Sequence, residues 1–127
     1  MTRIARPCQG VALALLIGLG GNASHAQATP PHGTMLWAMD GCKAFVTRAR
    51  NMQLGAGYCA GAVETILAVA QFDQQHRFFC PPASATTGSA VSILIEHAAT
   101  ASANSQSQPF FLYIIEALRA RWPCSVT

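Results

Sequence analysis

Residues 58–74 read YCAGAVETILAVAQFDQ, and this stretch decides the fold class. It contains no proline. Cys59, Val63, Ile66 and Ala70 recur three or four residues apart, which places them on one stripe of an α-helix. The stretch closes on polar residues, Asp73, Gln74, Gln75, His76 and Arg77. Cations there suit the negative end of a helix dipole. Just upstream, Gly55-Ala-Gly57 either breaks the chain or starts this element.

The same periodicity extends outward in both directions. Ala28 to Gly33, with two prolines, reads as a short mobile lead-in. Thr34 is a candidate N-cap for a helix from Met35 to about Ala49, with Met35, Met39, Cys42 and Val46 on its apolar stripe. Downstream, Cys80-Pro81-Pro82 is a stop, after which Ser84 or Thr86 can cap a third helix running to about Ala101. Val91, Leu94, Ile95 and Ala98 form its stripe. Ala99 to Gln108 is small and polar, a loop or a frayed helix end. Pro109 suits a first helical position. A last helix then reaches Arg121 with Phe111, Ile115, Leu118 and Trp122 on one face, and Pro123 ends it. Two aromatic pairs stand out, Phe78-Phe79 and Phe110-Phe111; in each, core packing for one ring and a partly covered edge for the other is the expectation.

Four helices with short connections give an all-α fold, a small up-and-down four-helix bundle. Cys42 lies about eight residues before the first helix ends and Cys59 a similar distance after the second begins. At about 1.5 Å per residue they sit at similar heights on antiparallel neighbours. Cys80 and Cys124 each follow a helix end at the opposite pole. The expected disulfides are therefore Cys42–Cys59 and Cys80–Cys124.

The ends of the chain bear on where it acts. Arg3 and Arg6 precede an apolar run, Val11 to Leu19, and Ser24-His25-Ala26 supplies small residues at both recognition positions of a cleavage site. Residues 1–26 read as a secretory signal cut after Ala26, with Ala28 as the near alternative. The run is too short to span a bilayer. Residues 27–127 then form a single domain in which six Lys/Arg face five Asp/Glu. Nothing in that balance calls for nucleic acid or an anionic membrane. Cys8 leaves with the signal and four cysteines remain, an even set that fits two disulfides in an oxidising compartment such as the periplasm.

Enzyme chemistry finds no motif. Paired cysteines leave no thiolate nucleophile, and no Cys-x-x-Cys occurs. His32, His76 and His97 are scattered, read as solvated surface residues, and no zinc-ligand spacing is present. The carboxylates Asp40, Glu64, Asp73, Glu96 and Glu116 show no pairing in sequence, and the serines form no Gly-x-Ser-x-Gly elbow. No catalytic residue, metal or cofactor is expected, which leaves a binding surface.

The cysteine framework resembles the Rap/Tai-type immunity proteins. Cys59-Ala60-Gly61 opening a helix is similar to the family's Cys-x-Gly, Cys80-Pro81-Pro82 follows it, and Ile115 to Cys124 ends in aromatic-Pro-Cys. The likeness covers Leu36 to Cys124. It implies a small helical periplasmic protein, often a homodimer. Such a protein binds a papain-like Cys-His peptidoglycan amidase delivered by type VI secretion and blocks its substrate groove. Contacts are expected on the outer face of the third helix and its flanks: Thr87, Ser92, Glu96, His97 and Gln106. The competing readings are a periplasmic stress chaperone and a structural subunit of an envelope complex.

Overall fold

The computed structural model describes residues 29–125 apart from Gln74 and His76. The expected signal segment, and the expectation of a solvated His76, lie outside the described residues. Five helices follow in order: α1 (Met35–Thr47), α2 (Gln53–Phe72), α3 (Thr87–Ala98), the short α4 (Ala103–Ser107) and α5 (Phe110–Arg121). A single 3₁₀ turn, Arg50–Met52, leads into α2. No strand occurs among the described residues.

The caps explain where these helices start. The Thr34 side chain accepts from the Trp37 amide. Thr86 and Ser89 form a reciprocal capping box, satisfying two amides that the first turn of α3 would otherwise leave bare. Ser102 caps α4 by accepting from the Ser105 amide, so a stretch expected as loop or frayed end holds one ordered helical turn. Pro109 occupies the N-cap of α5 rather than its first helical position.

Helix ends and faces differ from expectation at several places, one being α2, which ends at Phe72 with no basic residue in its last turn. Instead of reaching Ala49, α1 stops at Thr47, because Arg48 turns left-handed at φ 55° and sends its amide back to the Ala44 and Phe45 carbonyls. The start of α2 lies five residues before Tyr58, running straight through Gly55 and Gly57. Gly55 sits against Gly41 of α1, where any β-carbon on Gly41 would strike the Gly55 carbonyl. Its lack of a side chain serves a close crossing, not a break. The end of α3 is Ala98, three residues before Ala101. On α5 the inward face is Phe110, Tyr113, Ile114, Ala117 and Leu118; of the expected stripe Leu118 is fully buried, Ile115 and Trp122 are partly buried, and Phe111 faces out.

The core gathers Met35, Met39, Cys42, Cys59, Val63, Leu67, Val91 and Leu94 with the α5 face and Phe79. Val46, expected on the α1 stripe, is 47% exposed. Tyr113 buries its ring completely and donates its hydroxyl to the Leu94 carbonyl at 2.8 Å. Both expected disulfides are formed, Cys42–Cys59 and Cys80–Cys124. The lead-in is tied down as well. The Phe110 amide donates to Gly33 O at 2.7 Å and the Met35 amide to Gln108 O at 3.0 Å, so the starts of α1 and α5 lie side by side. Gly33 is there at φ +80°, a conformation that favours glycine. His32 lays its ring 4.9 Å from that of Trp37.

Candidate functional site

The five residues expected at a contact surface fall in three places. Ser92, half-buried, turns its hydroxyl to the Gly88 carbonyl at 3.1 Å and lines a concavity with Arg48 and Arg50. Thr87 opens α3 beside it, and Glu96 is exposed one turn beyond Ser92. Gln106, on α4, lines a different concavity with Met39, Lys43 and Ala98.

His97 is not a solvated surface group. Its side chain is 28% exposed, its ring centroid lies 5.7 Å from that of Tyr113, and Nε2 stands 3.7 Å from Glu116 Oε1. Glu116 also accepts from Gln108 Nε2 at 2.9 Å, so α3, α5 and the segment between them meet at this carboxylate. The Tyr113 phenol is pushed up to about 12 from its ordinary 10, first by burial and then by the negative charge of Glu116.

An apolar patch forms at the far end of α2. Phe72 is 90% exposed, Phe78 63% and Val69 54%. Val69 and Phe78 line a hollow of about 160 Å³ together with Ile66, Ala70, Phe79, Ile115 and the charged Asp73 and Arg77. Of each aromatic pair one ring is buried (Phe79, Phe110) and the other faces out (Phe78, Phe111). Contiguous exposed apolar surface of this kind marks a contact site more often than scattered single residues do. Phe72 escaped the sequence reading because it follows the stripe's last residue. Arg48 and Arg50 were not singled out in the sequence, and α1 ends before both of them.

Among the described residues, no three His, Cys, Asp or Glu side chains come together as a metal would require. Candidate recognition surfaces include the α3 face with its flanking concavities and the apolar patch.

The family model for Rap1a immunity proteins matches residues 35–124. The chain belongs to the Rap1a immunity protein family. The matched span runs from the first residue of α1 to Cys124 and contains all five helices and both disulfides. No curated protein and no solved structure matches the chain. Membership in the Rap1a family implies a role as an immunity protein that binds a cognate secreted effector. In this Rap1a protein Gly61, the glycine of Cys59-Ala60-Gly61, is exposed on α2, and a β-carbon there would meet nothing within 4 Å. It does not mediate the helix crossing that Gly41 and Gly55 make.

Proposed function

We propose that this Rap1a protein works in the periplasm, where it binds a peptidoglycan amidase effector of type VI secretion and covers the substrate groove of that papain-like Cys-His hydrolase. The family match across the whole helical domain carries this reading. Two disulfides that hold all four cysteines of the domain support an oxidising compartment. Inhibition needs no chemistry from this chain. A rigid helical surface that occludes the groove suffices, and nanomolar affinity corresponds to about −12 kcal/mol, within reach of an interface of about 1,600 Å². Thr87, Ser92, Glu96, His97 and Gln106 are the proposed contacts. A second copy of the chain is the proposed cover for the patch around Phe72, Val69 and Phe78, giving a homodimer.

The test pairs the mature, oxidised protein with a small Cys-His amidase encoded beside its gene. Expected are co-purification, loss of amidase activity and survival on co-expression in the periplasm. Absence of binding at micromolar concentration together with absence of protection rejects the reading. Phe72 at 90% exposure also favours a second reading, a stress chaperone or a structural subunit of an envelope complex. Client protection, or a stable stoichiometric partner other than an amidase, would select it.

A further inference from the structure

A concavity of about 720 Å³ opens where the end of α1, the turn into α2 and the start of α3 converge. Phe45 and Ala56 supply apolar wall, Gln53 and Ser92 supply polar groups, and Arg48 and Arg50 supply two positive charges. Among the described residues, no carboxylate lines it. Both arginines are exposed, and neither pairs with an acid among the described residues. Asp40 stands 4.0 Å from Lys43, and Glu116 engages His97 and Gln108, both away from this recess.

Arg48 is the instructive residue. It closes α1 in the left-handed conformation at φ 55°, a position that glycine fills most readily. A cation near the last carbonyls of a helix is favourable in itself, which gives one arginine a structural role. That account does not reach Arg50, which begins the 3₁₀ turn beyond the helix and faces the same hollow. Two guanidiniums over a recess without acids form a receptor for carboxylates, since each can grip one through two parallel hydrogen bonds.

We propose that this concavity receives a carboxylate-rich segment of the effector protein, held by the Arg48 and Arg50 guanidiniums. The proposal rests on the effector-binding reading and names the chemistry of the surface recognised. Ser92, one of the proposed contacts, shares the recess. Because the charges are exposed, their main effect is on encounter: the association rate is fast at low salt and slows as salt screens the pair.

The experiment uses the mature oxidised protein and its Arg48→Ala/Arg50→Ala variant, with Arg48→Gly as a second variant that removes the charge while relieving the left-handed backbone. One arm titrates a labelled hexaglutamate peptide, with hexaglutamine as control and inorganic phosphate as competitor. Saturable binding of hexaglutamate alone is expected, weakened at least about tenfold in the double variant. Equal binding to wild type and double variant overturns the proposal. So does complete displacement by millimolar phosphate, which marks a small-anion site. A second arm measures association with the neighbouring-gene amidase. Expected is a rate lowered about tenfold or more at low salt, with a shallower salt dependence and little change in dissociation. An amidase that binds the double variant as fast as wild type overturns the proposal and leaves the effector reading standing. Hexaglutamate binding without any amidase binding rejects the effector reading while the carboxylate site stands.

Discussion

Cys42–Cys59 and Cys80–Cys124 bridge one bundle in different surroundings. Both sulfurs of the first are fully buried, next to the crossing where Gly41 meets Gly55. Both cysteines of the second are half-covered, at the edge. There the Cys80 amide donates to the Trp122 carbonyl at 2.8 Å, and the Phe79 ring lies 6.5 Å from that of Trp122. The inner bridge is part of the core. The outer one is a strap: it fastens the segment after α2 to the end of α5, holding Phe79 inside while Phe72 and Phe78 stay exposed. One region is built for stability and the other sets what the surface shows.

Removing each bridge tests that contrast most strongly. Chain entropy alone favours the outer bridge, which closes a loop of 44 residues against 17 for the inner one. That ranking corresponds to about 4 against about 3 kcal/mol. The buried sulfurs add about 1 kcal/mol each in lost packing. Cys42→Ala/Cys59→Ala is therefore expected to cost about 5 kcal/mol in urea unfolding, and Cys80→Ala/Cys124→Ala about 4 kcal/mol. A mild reductant should open the outer bridge first, as thiol alkylation followed by peptide mapping would show. A costlier outer pair, or an inner pair reduced first, breaks the comparison.

The helix crossing comes next. Gly41→Ala drives a β-carbon into the Gly55 carbonyl, and backbone cannot step aside as a flexible side chain would. A loss of about 3 kcal/mol is expected, read as a lower urea midpoint.

Tyr113→Phe removes the hydroxyl that satisfies the Leu94 carbonyl and should cost about 1–2 kcal/mol. Its pH signature is specific. The phenol is held neutral in the fold to about pH 12 against an ordinary 10. The contribution is therefore complete below pH 10 and is lost as pH rises toward 12, where the unfolded chain ionises first. Stability measured across that window should fall in wild type, and the fall due to this residue should be absent in the phenylalanine variant.

Gly61→Ala gives the smallest effect and the opposite sign. The site lies inside α2 with open space around it, so the variant should gain about 0.5–1 kcal/mol. Weaker effector binding in that more stable variant would place Gly61 in the interface.

Much of the framework was legible in the chain. The sulfurs pair as helical rise along adjacent helices demands, and Thr34 and Thr86 cap as their chemistry suggests. The misreadings share a cause. The run Phe110 to Ile115 is apolar all round, so two overlapping stripes fit it equally well by period, and both contain Leu118. Gly55 looks like a break because its partner Gly41 lies fourteen positions away, on another helix. His97 looks solvated until α5 brings Tyr113 and Glu116 beside it. The hollow behind Arg48 and Arg50 exists only once α3 arrives there.

Local order alone determined that the described residues make four long helices and at what height along them the cysteines lie, because residue spacing and helical rise are properties of each segment by itself. Tertiary structure decided which side of α5 turns inward, why a glycine sits within α2 and where two arginines face a common recess. Those outcomes depend on contacts between segments distant in sequence, whose energies exist only when the helices are packed together.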